Sequence, residues 1–168
     1  MGIPVTMSLS ILSDLILKNN KKTKDPVNQS LITLEQRIGL QSLGVMNNAV
    51  WYEDPKRLVF TLARYKFVAK MLAGKQQVAE IGCGDGFGSR IVRQEVVNLL
   101  ITDYDSYFIE KFKEQASEQW PIDSKTHDIL AAPLPFKMDA IYSLDVLEHV
   151  NTEVESLFLT NVCLSLKK

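Results

Sequence analysis

The chain has 168 residues, of which 46% are hydrophobic and 23% charged, with a formal net charge of −1. That composition supports one globular domain with a substantial core, and it gives no electrostatic footprint for bulk nucleic acid or an anionic membrane. The two cysteines, Cys83 and Cys163, are too few for a disulfide framework and lack metal-ligand spacing, so a reducing cytoplasm is expected.

Leu9, Leu12, Leu15 and Ile16 recur at helical spacing and predict a short amphipathic helix over 8–18. Ser10, Ser13 and Asp14 interrupt this segment and no basic stretch precedes it, which argues against a secretory signal. No stretch of the chain approaches the ~20 continuous apolar residues of a membrane span. The polar run 19–30, which contains Pro26, reads as a linker. Thr33 and Gln36 have capping-box spacing and predict a helix running to Gly39 or Gly44. Residues 1–53 are therefore read as a helical extension and 54–168 as the main domain.

From Asp54 the pattern sharpens. Asp54 is a candidate N-cap and Pro55 suits a first helical position. Leu58, Val59, Leu62, Tyr65, Val68, Met71 and Leu72 mark one face of a long helix that Gly74 ends. Strand signals follow at 78–81, 97–101, 125–127 and 138–144, and helical ones at 87–96, 106–117 and 152–166. Asp105 is a candidate N-cap, and Thr152 with Glu155 forms a second capping-box pattern. This alternation predicts an α/β sheet of parallel strands with right-handed crossovers.

The chemistry concentrates in Glu80-Ile81-Gly82-Cys83-Gly84-Asp85-Gly86-Phe87-Gly88, between a strand and a helix. That is where open α/β sheets bind ligands. Glycines there permit a sharp turn and let a ligand approach bare backbone. Neither frame fits Gly-x-Gly-x-x-Gly, since Phe87 and Ser89 occupy the sixth positions, and a Walker A Gly-Lys-Ser/Thr is absent. The spacing present is Gly-x-Gly-x-Gly, with an acid two residues upstream. Asp103 lies at the end of the second strand, where a carboxylate can accept both hydroxyls of a ribose.

At these residues the sequence resembles the class I S-adenosylmethionine (SAM)-dependent methyltransferases. The resemblance covers roughly 54–168 and extends to His127-Asp128-Ile129 and to Asp139-Ala140-Ile141-Tyr142-Ser143-Leu144-Asp145-Val146-Leu147-Glu148-His149. It implies a Rossmann-like sheet of seven strands in the order 3-2-1-4-5-7-6, of which this chain supplies the first four. It also implies that Glu80 faces the amino-acid end of SAM and that Gly82, Cys83, Gly84 and Gly86 pack along its methionine and ribose portions. Asp103 with Tyr104 would meet the ribose, Asp128 the adenine amino group and Ile129 the ring, with Asp145 completing the cofactor set. S-adenosylhomocysteine (SAH) would be the product.

Methyl transfer needs alignment first and a base only where the acceptor must lose a proton. His149, after the fourth strand, is the candidate base. Asp145-x-x-Glu148-His149 also resembles the E-x-x-E-H metal motif of ubiquinone-pathway O-methyltransferases and small-RNA 2′-O-methyltransferases, with the shorter Asp at the first position. Cys83 reads as a packing residue rather than a nucleophile. The expectation is a methyltransferase acting on a small-molecule O- or N-nucleophile. The alternative is a non-catalytic SAM-binding fragment or interaction module. With strands five to seven absent, strand four is expected to leave an open edge covered by another copy of the chain or by the N-terminal helices.

Overall fold

The computed structural model describes residues 22–168. The expected helix over 8–18 lies outside them. The chain divides into two compact units, Met1–Gln41 and Ser42–Lys168. The division falls twelve residues before the boundary expected at 53, so the segment 42–53 belongs to the sheet-bearing unit.

In the first unit, Asp25 accepts a hydrogen bond from the Val27 amide and caps a 3-10 turn, Pro26–Asn28. Helix α1 (Gln29–Ile38) follows and ends at Gly39, whose φ of 70° suits glycine. Thr33 lies inside this helix instead of capping it. Its hydroxyl donates to the Gln29 carbonyl one turn back.

The second unit opens with helix α2 (Val45–Glu53), which no sequence pattern announced. Helix α3 (Pro55–Met71) follows directly. Asp54 occupies its N-cap position, but the carboxylate makes no capping bond. Four parallel strands then form one sheet: β1 (Gln77–Ile81), β2 (Asn98–Asp103), β3 (Asp123–Thr126) and β4 (Ala140–Tyr142), in the order β3-β2-β1-β4. Val78 pairs with Leu99 on one side and Ala140 on the other, and Leu100 pairs with Asp123. Helix α4 (Ser89–Arg93) connects β1 to β2, and α5 (Ser106–Glu114) connects β2 to β3. Asp105 caps α5 as expected, accepting from the Tyr107 amide at 2.9 Å.

β4 is shorter than the expected 138–144. Met138, upstream of it, instead forms a parallel bridge with Leu166, through bonds from the Met138 amide to the Ser165 carbonyl and from the Lys167 amide to the Met138 carbonyl. Helix α6 (Glu155–Leu164) is led in by a 3-10 turn, Thr152–Val154. Asn151 caps that turn by accepting from the Glu153 amide, so the residue before Thr152 does the work expected of Thr152.

The two faces of the sheet bury separate cores, as the period-two alternation of a strand demands. Val78, Leu99 and Ile101 face one, with Tyr65, Val68, Val92, Ile109 and Phe112. Ala79 and Ile81 face the other, with Ile129, Leu134, Met138 and Phe158. Full burial of such aliphatic side chains contributes about 1.5–3 kcal/mol each. Glu80 breaks the apolar pattern: it lies within β1, one residue from its carboxyl end, and is 1% exposed. Among the described residues no helix is long and apolar enough to cross a membrane.

Candidate cofactor site

Parallel strands place every strand's carboxyl end on one edge of the sheet. The glycine turn follows β1, Asp103 ends β2, His127 and Asp128 follow β3, and Asp145 follows β4. The expected site residues other than Glu80 and Ile129, scattered over seventy positions of sequence, therefore share that edge.

The turn is held to β2 by backbone. Gly82 and Cys83 both donate to the Thr102 carbonyl, at 2.8 and 3.0 Å. Gly82 (φ 73°) and Gly84 (φ 53°) occupy left-handed conformations that a side chain would strain. Both are also crowded. A Cβ on Gly82 would collide with Val146, and one on Gly84 would lie 2.5 Å from the Met46 sulfur. The Asp103 carboxylate accepts from the Gly84 amide at 2.9 Å and, through its other oxygen, from the Asp105 amide at 3.0 Å. Each oxygen thus accepts one backbone bond, and a carboxylate oxygen has the capacity for a second, as two ribose hydroxyls would require. Tyr104, beside it, is exposed.

Glu80 does not face the edge. Its carboxylate accepts three hydroxyl hydrogen bonds inside the core, from Tyr65 at 2.7 Å, Ser89 at 2.5 Å and Tyr142 at 2.7 Å. Burial raises its pKa, and the three hydroxyls oppose that rise. Burial, and next the Glu80 charge, hold both phenols in the neutral form that donates. A carboxylate so enclosed links β1 to α3, α4 and β4.

Asp85 is the residue that the sequence reading passed over. It is 7% exposed, and its carboxylate accepts from the Met46 and Asn47 amides, the Asn47 side-chain amide and the Phe87 amide. It caps the first-turn amides of α2 from about forty residues downstream. Its isolation among three glycines in an otherwise apolar turn was the available signal.

The remaining positions differ in character. Cys83 is buried, and burial, with the charges of Glu80 and Asp103 behind it, pushes its thiol far up, so no thiolate nucleophile forms there. Asp128 is exposed and accepts from the Leu130 amide. Ile129 is 6% exposed, with its side chain in the core with Ala79 and Phe158, and is not presented as a wall for an adenine ring. Asp145 has φ 55° and pairs with Arg64 across 2.6 Å. His149 and Glu148 are exposed in a 3-10 turn, Leu147–His149. Among the described residues no group of three or more His, Cys, Asp or Glu is arranged to hold a metal ion, and this includes Asp145, Glu148 and His149.

A family model described as "Methyltransferase domain" matches residues 78–168, more than half of the chain. The chain belongs to the methyltransferase domain family. No curated protein matches it. Solved structures share the fold at low identity. The N-methyltransferase NodS from Bradyrhizobium japonicum WM9, in complex with SAH, aligns with a TM-score of 0.58 at 19% identity, over 68% of this chain and 62% of NodS. Magnesium protoporphyrin IX methyltransferase (ChlM) from Synechocystis PCC 6803, with bound SAM, gives a TM-score of 0.55 at 17% identity, over 98% of this chain and 75% of that one. TehB from Haemophilus influenzae gives 0.55 at 23% identity, over 62% and 37%. This methyltransferase-family chain thus spans about three fifths of the length of NodS. The strand order β3-β2-β1-β4 agrees with the Rossmann-like methyltransferase sheet that the motifs implied.

Proposed function

We propose that the chain binds SAM at the carboxyl edge of its sheet, in a methyltransferase that acts on an O- or N-nucleophile of a small molecule. The observation that carries this reading is the Asp103 carboxylate at the end of β2, held by the Gly84 amide at 2.9 Å and the Asp105 amide at 3.0 Å, one bond to each oxygen. Family membership and the SAM- and SAH-bound neighbours support it.

In this reading Asp103, with Tyr104 beside it, takes the ribose. The backbone of Gly82, Cys83, Gly84 and Gly86 forms the floor for the methionine portion. Asp128 takes the adenine amino group. Glu80 is a positioning residue, and Asp145 borders the methyl end. The bound cofactor supplies a sulfonium methyl already activated for in-line displacement. The protein's part is alignment, which contributes about 7–11 kcal/mol in favourable cases. His149 is the base for an acceptor that must lose a proton, and its exposed imidazole is open to such an acceptor.

The acceptor class rests on the chain's own near-neutral charge, which offers no track for a polyanion. NodS is described as an N-methyltransferase and ChlM as acting on magnesium protoporphyrin IX, so the fold alone transfers no acceptor. Cys83 and Cys163 are both free, which supports a cytoplasmic setting. Self-association through the outer edge of β4 belongs to the same reading. It is supported by the brevity of the Met138–Leu166 bridge, beyond which, among the described residues, no strand pairs with Ala140–Tyr142 on that side.

Calorimetric titration with SAH tests the cofactor assignment. Wild-type protein binds, and Asp103→Ala weakens binding by about tenfold or more, as loss of charge-assisted bonds predicts. Equal affinity in the variant refutes the ribose assignment. Methyl transfer to a metabolite mixture, set against SAH binding alone, separates an enzyme from a non-catalytic binding module.

A further inference from the structure

The Asp85 carboxylate ties two parts of the chain that sequence places far apart. Its Oδ2 accepts from the Met46 amide at 2.9 Å and the Asn47 amide at 3.0 Å, and its Oδ1 accepts from Asn47 Nδ2 at 2.8 Å. The same Oδ1 accepts from the Phe87 amide at 3.2 Å, which bends the glycine turn around the carboxylate. Helix α2 has no cap of its own, because its N-cap residue is Gly44. The missing side chain is a requirement: a Cβ on Gly44 would lie 2.5 Å from the Asp85 carboxyl carbon. Gly44 and Asp85 therefore fit as a pair, one vacating the space the other fills.

The contact continues to the proposed ribose carboxylate. The Met46 sulfur covers Gly84, and the Gly84 amide donates to Asp103. The first turn of α2 is thus one residue removed from Asp103, through a loop whose glycines have little conformational preference of their own. Whatever fixes 84–86 favours both the docked helix and the cofactor-ready loop. Two events that select the same loop conformation are linked, and the linkage is reciprocal.

We propose that Asp85 is a positioning residue that clasps α2 onto the glycine turn, making α2 a cap whose docking and cofactor binding strengthen one another. The coupling to cofactor rests on the SAM reading above; the clasp itself does not. Asp85→Asn keeps the shape but presents an amide N–H to backbone donors, so it breaks part of the clasp without emptying the space.

Amide hydrogen exchange over 46–53, with and without SAH, and calorimetric SAH titration provide the test. In wild type, SAH slows exchange in α2. In Asp85→Asn, α2 exchanges faster even without ligand, SAH affinity falls about tenfold, in the middle of the usual range for coupled sites, and SAH no longer slows α2. Exchange in β1 and β2 stays as in wild type, which a general loss of fold would not allow. If Asp85→Asn does not fold, Asn47→Ala carries the test from the other side of the clasp, with a loss of about threefold from one side-chain bond. Unchanged SAH affinity with unchanged α2 exchange in the folded variant overturns the proposal. Should wild type bind no SAH, the SAM reading fails by itself, and the ligand-free exchange still decides the clasp: faster exchange in the variant upholds it, and equal exchange removes it.

Discussion

Replacing Tyr142 by Phe removes one hydroxyl and little else. The ring keeps its edge-on packing against Tyr65, at a centroid distance of 6.5 Å and an interplanar angle of 90°. What disappears is a 2.7 Å bond to Glu80 Oε2, in a place closed to water. A hydrogen bond to a charged group contributes about 1.5–3 kcal/mol and a neutral one about 0.5–1.5. The expected loss is therefore about 1.5–3 kcal/mol where Glu80 is ionised and about half that where it is protonated. A domain with about 5–15 kcal/mol of stability remains folded after such a loss. Urea unfolding followed by circular dichroism, at several pH values, measures it. The loss should grow as pH rises, because the Tyr142 bond lowers the Glu80 pKa and its removal lets burial raise that pKa further. In a Glu80→Gln background the effect of Tyr142→Phe should shrink, with a coupling energy of at least about 0.5 kcal/mol. A loss independent of pH, or one undiminished beside Glu80→Gln, refutes the claim that the hydroxyl acts through this carboxylate.

The other expectations concern the same edge. Because burial raises the Glu80 pKa above its ordinary value of 4.5, the folded state holds that proton more tightly than the unfolded chain. Its contribution is fully present below pH 4.5 and is lost as pH rises through the folded-state pKa. The stability of wild type relative to Glu80→Gln should thus fall with rising pH in denaturant titrations, and a rise would contradict the burial argument. Gly82→Ala forces a methyl group into Val146 at φ 73° and should cost more than the ~1–2 kcal/mol of the left-handed conformation alone, read as a drop in melting temperature. At φ 55°, Asp145→Asn should change stability by less than about 1 kcal/mol, since it tolerates the conformation and gives up only an exposed pair with Arg64. Asp145→Val should cost about 1–2 kcal/mol more than Asn in the same thermal assay.

Local chemistry was legible and distant chemistry was not. The glycine turn, the β2 end at Asp103 and the Asp105 cap follow from neighbours in sequence, and each stands where its pattern predicted. Helix α2 was missed because its cap arrives from Asp85, and a glycine at position 44 reads locally as a break. Thr33 and Thr152 misled because capping-box spacing recurs without a chain reversal to cap; Asp25 and Asn151 each cap a 3-10 turn ahead of the helix. Ile129 is expected at a ligand because the family resemblance puts an apolar neighbour of the acid on the adenine ring, yet after the turn at Asp128 its side chain lies in the core with Ala79 and Phe158. Glu80 was read from its motif as facing a ligand. Only the fold reveals that Tyr65, Ser89 and Tyr142 converge on it from three other elements.

That convergence constrains how the chain can vary. Three hydroxyls share a single acceptor, so Glu80 cannot become apolar while they persist without stranding three buried donors. An apolar residue at 80 becomes tolerable only when 65 and 142 turn to Phe and 89 to Ala, because a fully apolar set of matching shape strands nothing. Positions 65, 80, 89 and 142 should therefore change together among related sequences, as one inherited character spread over four elements.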